Sequence, residues 1–355
     1  MSESDNIVAE TAARIFADLA DPQAINAAKD ESWRAPLWQA LEENGLTLAW
    51  VPDDLGGAGA GLADGFAVIQ AAGRCAAPVP VVETLLAGWL LTQAGIASPQ
   101  GMMTVAPMRP KERITLGTDG TLSGRARGVP YARDAAHIAV LAHGGKGAVV
   151  ALVETRAVRL SETRGIAGSP VFEVVLEKAR PVKMADAPAG FDQSTLMLMG
   201  AVARSLSSAG ALEAILEISV RYSGERVAFE RTISKFQAVQ HNLARLAGES
   251  AAATAAATSA ADAIAHAASL AAPGIYLEAA SARIRSAEAA TEGSAIAHQV
   301  HGAIGYTKEH VLHRFTRALL TWRDDFGNES QWAVDLGNRV AAAGADDLWP
   351  LVASR

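Results

Sequence analysis

Three histidines, His301, His310 and His313, crowd into one short stretch of the chain. Imidazoles in that number can hold a metal ion, but zinc sites need Cys, Asp or Glu partners at recognisable spacings. No such quartet surrounds these three, so no metal is expected, and they read as surface or interface histidines. Asp262 and His266 stand at i and i+4 and read as a solvated helix face. Asp324 and Asp325 are acids that could take a proton in general-base chemistry. The competing expectation is an exposed turn in which they pair with Arg323. Arg226 offers a planar charged fork suited to bidentate contact with paired oxygens, or it could pair with Glu225 or another helix carboxylate. The Gly302-Ala303-Ile-Gly305 turn is either a helix cap or a close approach of backbone to a ligand. The glycine cluster from Gly56 to Gly61 neither follows a strand nor opens a dinucleotide-binding helix, so it is no Rossmann fingerprint. It reads as a flexible loop near a substrate entrance.

The elements that must position these groups follow from composition and periodicity. The chain has 355 residues, half of them hydrophobic and 19% charged. That length exceeds one usual core, so two or three cooperating domains are expected of a folded, soluble protein. A net charge of −7 argues against a nucleic-acid partner. The most apolar stretch, Val81 to Ala97, is interrupted by Glu83 and Gln93, so no membrane insertion is expected. An acidic, polar N-terminus and a single cysteine, Cys75, point to the cytoplasm.

Helical spacing runs through Ala12–Leu19 and Trp33–Glu43, with Gly45 as a C-terminal cap. Asp64 is placed as the cap of a helix over Gly65–Ala77, ended by Pro78 and Pro80. From about Thr104 to Met184, short β-rich runs such as Ile138–Leu141, Ala148–Val153 and Val171–Leu176 predict strands. From Ser194 onward the signal is helical: Leu212, Ile215, Leu216 and Val220 form one stripe. An alanine-rich tract runs from Gly248 to Ala272, breaks at Pro273-Gly274 and resumes to about Gln299. Leu243, Leu246, Ile264, Leu270 and Ile275 anchor it as part of a helix bundle and not a linker. The architecture is therefore α+β by segregation, with a helical domain over 1–100, a β-domain over 101–190 and a helical bundle over 191–355.

That order resembles the acyl-CoA dehydrogenase family, whose members carry an N-terminal helical domain, a β-barrel-like middle domain and a C-terminal four-helix bundle. Trp38, Leu41, Gly45, Pro52, Gly56-Gly57, Gly59 and Asp64 follow the family's N-terminal signals. The run Glu225-Arg-Val-Ala-Phe-Glu-Arg-Thr-Ile-Ser-Lys-Phe-Gln-Ala-Val-Gln-His241 is similar to the family segment Arg-x-x-Phe-Gly-x-x-Ile-x-x-Phe-Gln-x-x-Gln. The run Gln299-Val-His-Gly-Ala-Ile-Gly305 is similar to the family's Gln-x-x-Gly-Gly-x-Gly. The resemblance implies FAD. Arg226 would meet the pyrophosphate, Phe229 and Phe236 would supply flat apolar surface, and Gln237 and Gln299 would contact the cofactor. Gly302 and Gly305 would let backbone approach the ADP half, with Ala303 in place of one family glycine. Glu230 replaces the glycine that follows the phenylalanine.

The family's chemistry is α,β-desaturation of an acyl-CoA thioester, in which a carboxylate takes the Cα proton and the flavin takes a hydride from Cβ. The family glutamate aligns here with Phe326 or Gly327, neither of which accepts a proton. The alternative base position falls near Gly200, and Leu196–Ala203 holds no carboxylate. Asp325 is the nearest candidate. A Thr-Glu-Pro-like strand of the middle domain is represented by Val105-Ala-Pro107 alone. The chain is therefore similar to the shorter subunits of α2β2 acyl-CoA dehydrogenases of steroid degradation. The implied partners are an acyl-CoA substrate, a second dehydrogenase-like subunit that supplies the base, and an electron-transfer flavoprotein. The alternatives are a homo-oligomer using Asp325 as base and a flavin-free scaffold of the same fold.

Overall fold

The computed structural model describes residues 3–145, 147–165 and 170–353. Met1 and Ser2, which begin the acidic opening, lie outside them. Along the chain, α1 (Glu3–Leu19), α2 (Pro22–Ala27), α3 (Arg34–Glu43), α4 (Leu62–Arg74) and α5 (Val81–Thr92) precede the main strands. These are β1 (Met103–Ala106), β2 (Ile114–Leu116), β3 (Leu122–Pro130), β4 (His137–Gly144), β5 (Gly147–Glu154), β6 (Arg159–Arg164), β7 (Pro170–Ala179) and β8 (Lys183–Asp186). Then come α6 (Gln193–Glu225), a small hairpin of β9 (Val227–Ala228) and β10 (Arg231–Thr232), and α7 (Gln237–Ala265). The chain finishes with α8 (Pro273–His301), α9 (Leu312–Trp322), α10 (Glu329–Ala343) and α11 (Ala345–Ala353). It forms two compact units, Met1–Asp21 with Lys29–Ala72 and Ala77–Gly200, and Pro22–Ala28 with Gly73–Ala76 and Ala201–Arg355.

In the first unit the β-rich runs form an eight-stranded mixed sheet ordered β6-β7-β3-β2-β4-β5-β8, with β1 added alongside β4. β1 and β2 run parallel to β4, whereas β4–β5, β3–β7 and β6–β7 are antiparallel. The continuous apolar runs of β4 and β5 are explained by burial of nearly every position. Val81–Leu91 of α5 is buried, and Thr84 exchanges two 3.1 Å hydrogen bonds with the backbone of Met103 at the start of β1.

Two local expectations are corrected here. Asp64 does not precede its helix; it sits in the first turn of α4, and its Oδ2 accepts the Gly61 N–H at 3.0 Å. The Gly56–Gly61 stretch is not a loose loop. Ala58, Gly59 and Ala60 donate backbone hydrogen bonds to Leu48, Val51 and Ala49 at 3.2, 2.8 and 2.8 Å. Glycine is required because the two backbones nearly touch: a Cβ on Gly57 would lie 2.1 Å from the Val51 carbonyl oxygen.

The second unit is helical. Leu212, Ile215, Leu246, Ile296, Leu312, Phe315 and Leu319 share its core, with alanines filling the close approaches of α7 and α8. Val220, expected in the apolar stripe of α6, is 50% exposed, and Ile218 takes the buried position there. α6 is long and apolar enough to cross a bilayer, yet 94% of its most apolar window is buried in the protein. Every residue from Leu196 to Leu212 is buried.

Candidate functional site

α6 ends where Gly224 and Glu225 become exposed, and the chain reverses at once. The Arg226 N–H donates to the Tyr222 carbonyl at 2.9 Å, and the Ile233 N–H closes the reversal on the Arg226 carbonyl at 2.8 Å. Between them β9 and β10 pair through Ala228 opposite Arg231, leaving Phe229 and Glu230 as the two central residues. Both are left-handed, with φ of 51° and 66°. That is the geometry a two-residue hairpin demands, and one that glycine meets without strain. Phe229 is 90% exposed, its ring 6.2 Å from Phe236 in an edge-on contact, and the Arg231 guanidinium covers Phe236 at 4.2 Å. Gln237 opens α7 with its side chain exposed.

Because Glu230 occupies a left-handed position, Glu230→Gly should relieve strain. After the greater freedom glycine regains on unfolding is subtracted, a gain of about 0.5 kcal/mol is expected. It also removes a negative charge from the hairpin tip. A thermal melt should rise and flavin affinity should tighten; an unchanged melt would show that the tip carries no strain.

The second segment closes α8. Gly302 has φ 64° and ψ −145°, and its N–H donates to the His298 carbonyl, so it caps the helix. No neighbour lies within 4 Å of a Cβ built there; glycine is needed at Gly302 for its backbone angle and not for space. Gln299, Gly302 and Ala303 are exposed, whereas Gly305 is buried. The two segments meet through Tyr222. Its ring stacks on His301 with centroids 4.4 Å apart, and its hydroxyl donates to the His301 carbonyl at 3.4 Å. His310 lies against both rings, 4.6 Å from His301 and 5.9 Å from Tyr222.

The histidines are thus not surface groups. His301 is buried and His310 half-buried, drawn inward by their ring contacts with Tyr222 and each other, and His313 is half-buried with its Nδ1 2.7 Å from the His310 carbonyl oxygen. Burial holds the pKa of His298, His301 and His310 below the ordinary 6.5, and their mutual repulsion adds to it. Among the described residues, no group of three or more His, Cys, Asp or Glu is arranged to hold a metal. Asp262 and His266 do form the exposed helix pair, at 3.2 Å. Among the described residues, no carboxylate pairs with Arg226. The Glu225 alternative is therefore not realised.

The acids after α9 part company. Asp324 faces Arg323 at 3.6 Å, as the exposed-turn expectation has it. Asp325 does not: its Oδ2 accepts from the buried Arg204 Nε at 2.9 Å, and its side chain is only 15% exposed. Around it the turn is pinned from α8. Arg283, fully buried, donates to the carbonyls of Trp322, Arg323, Asp325 and Gly327 at 2.5–2.9 Å. These include the last carbonyls of α9, which a helix leaves without partners of its own. Burial lowers the Arg283 pKa to about 10, and Asp325 opposes that shift, so the guanidinium stays charged at neutral pH. Phe326 and Gly327, where the family base aligns, follow with φ of 56° and 94°, and the Phe326 carbonyl accepts from Trp332 Nε1 at 3.0 Å. Neither Arg204 nor Arg283 stood out in the sequence. The signal was present for Arg204, the lone charge between Asp192 and Glu213. A charge inside an apolar run has to be paired.

The fold is that of an acyl-CoA dehydrogenase, and the chain belongs to the acyl-CoA dehydrogenase family. Residues 2–98 match the family's N-terminal domain and residues 190–327 its C-terminal domain. Family members are oxidoreductases acting on acyl-CoA, with FAD as the cofactor. The chain is 30% identical over 316 residues to acyl-CoA dehydrogenase IpdE2 of Mycobacterium tuberculosis, covering 88% of this chain and 90% of that one. Its backbone is similar to that of the ChsE4–ChsE5 complex of Mycobacterium tuberculosis, with a TM-score of 0.85, 23% identity, and 97% and 99% of the two chains covered. The steroid acyl-CoA dehydrogenase pair Tcur3481–Tcur3483 gives a TM-score of 0.82 at 25% identity over 96% and 98% of the chains.

Proposed function

We propose that this chain is the FAD-gripping subunit of a heterotetrameric acyl-CoA dehydrogenase whose partner subunit supplies the catalytic base. The observation that carries this is an asymmetry within the second unit. Arg226, Phe229, Gln237 and Gln299 are exposed and ready for a ligand, while Asp325 is committed to Arg204. A carboxylate held by a buried guanidinium keeps its charge but makes a poor proton acceptor, because taking a proton would abandon the arginine in the interior. The homomeric alternative, with Asp325 as base, is thereby weakened. The two-component ChsE4–ChsE5 and Tcur3481–Tcur3483 assemblies are consistent with a divided enzyme.

In this reading the planar fork of Arg226 would take paired oxygens of the cofactor's pyrophosphate, and exposed Phe229, braced edge-on by Phe236, would offer it an apolar face. Gln237 and Gln299 offer amides, and exposed Gly302 and Ala303 keep the approach to the ADP half low, while buried Gly305 lets the turn pack against His301 and Leu312. The residues fit the group: one unpaired cation, exposed amides and a turn without side-chain bulk. FAD held there would supply the hydride-accepting chemistry for an acyl thioester, and a carboxylate of the partner would serve as the base for the Cα proton. The substrate is an acyl-CoA of steroid or other lipid degradation, and the electrons leave to an electron-transfer flavoprotein in the cytoplasm. The three-part division at 1–100, 101–190 and 191–355 belongs to the same proposal.

The test is to purify the chain alone and together with its candidate dehydrogenase-like partner. A flavin band and acyl-CoA desaturation should appear only with the partner. Full flavin content and turnover in the chain alone would overturn the division of labour, and no flavin in any combination would favour a scaffold. Asp325→Asn should lower stability by about 2 kcal/mol, as a charged hydrogen bond is weakened, and leave turnover of the assembled enzyme unchanged. Lost turnover in a folded variant would return proton abstraction to Asp325.

A further inference from the structure

We propose that Tyr222 and His301 are positioning residues for the cofactor site: their stack is the joint that makes the Arg226 hairpin and the Gly302 turn one surface. This rests on the reading of those segments as FAD contacts. Tyr222 lies one helical turn before Arg226 and accepts its N–H, so it sets where the hairpin leaves α6. His301 directly precedes Gly302 and sets where the turn leaves α8. The hairpin itself is largely exposed, with Val227 and Phe229 among the most exposed apolar residues of the chain. Its orientation is therefore fixed at its base, by the ring stack and the hydroxyl bond to the His301 carbonyl.

The joint is also built to sense protons. His301 Nδ1 lies 2.7 Å from the Ala297 carbonyl oxygen, which can only accept, so Nδ1 carries the hydrogen. Nε2 is then a lone pair, buried and without a hydrogen-bond partner among the described residues. A proton placed there makes a buried imidazolium with no acceptor. The titratable groups facing His301 are Tyr222 from α6, His298 from α8 and His310 at the approach to α9; behind them Tyr306 stacks on His298, Arg221 acts on His310, and His313 acts on both His298 and His310. The neighbours that act on these histidines by charge are other histidines and Arg221, and each disfavours protonation. An opened joint titrates near 6.5 and the closed joint lower. The closed form is therefore fully favoured above pH 6.5 and loses its advantage as pH falls below it.

The experiment follows FAD release from the loaded assembly in which the chain functions, by free-flavin fluorescence, between about pH 5 and 8. The wild type should release FAD faster below pH 6.5. Tyr222→Leu should release it about tenfold faster at pH 8 and flatten the acid dependence, while Tyr222→Phe, which keeps the stack, should stay within about twofold of the wild type. His301→Phe should retain the slow release at pH 8 and lose the acid limb. Wild-type release from the leucine variant, an intact acid limb in His301→Phe, or tighter binding in acid would each overturn the joint. If the leucine variant does not fold, the wild-type and His301→Phe profiles decide. An assembly with no flavin at all defeats the cofactor reading itself, which is a different result from a flavin that is held but indifferent to Tyr222.

Discussion

Arg283→Met should be the most damaging single substitution in the second unit, costing about 3–5 kcal/mol. The methionine fills much of the volume, but four carbonyls lose their donor at once. Each buried carbonyl left without a partner carries a desolvation penalty, and Asp325 loses a nearby positive charge as well. Against a total stability of roughly 5–15 kcal/mol for a typical domain, such a loss is large. The denaturation midpoint should fall steeply, and the Trp322–Gly327 turn should become a protease target before the rest of the unit does. Arg283→Lys should fall between the two, since an ammonium has three donors on one atom and cannot span carbonyls arrayed around a planar fork. A methionine variant with the wild-type midpoint would mean that this guanidinium does not hold the turn.

The largest functional loss is expected from Arg226→Ala. If the guanidinium grips a pyrophosphate through charge-assisted hydrogen bonds, its removal should cost about 2–3 kcal/mol of cofactor affinity, or some 30- to 150-fold. Stability should barely move, because Arg226 is exposed and has no carboxylate partner among the described residues. Arg226→Lys should recover part of the affinity through charge and not all of it, since a point charge cannot reproduce bidentate contact. Flavin titration of the assembled enzyme measures this directly. Unaltered affinity in the alanine variant would remove Arg226 from the cofactor site.

How far the sequence could be read depended on the range of the interaction. Element order was legible because it rests on local periodicity: strand-forming runs such as Ala148–Val153 and the alanine tract of α7 identify themselves. The hairpin was legible as a motif, but its left-handed Phe229 and Glu230 were not, because glycine's absence hides the turn geometry. Of the acids after α9, Asp324 pairs with Arg323 as the turn expectation has it, and Asp325 departs from it for a physical reason. Charged residues are mostly solvated, so Asp325 was assigned an adjacent partner, Arg323, when its real partner lies 121 positions earlier. The histidines read as surface or interface groups, whereas His301 is buried. Nothing local could show that Tyr222, 79 positions before His301, would stack on it.

Arg204 has a consequence that begins before the fold exists. During synthesis α6 leaves the ribosome ahead of α7 and α8, the helices that share its core. At that moment it is an apolar run of bilayer-spanning length that still lacks the cover of α7 and α8. A nascent segment of that kind invites both aggregation and mistargeting to a membrane. One arginine within the apolar run raises the cost of insertion by about 2.5–3.5 kcal/mol. The guanidinium that later binds Asp325 thus also makes this run costlier to place in lipid while it still lacks its partner helices.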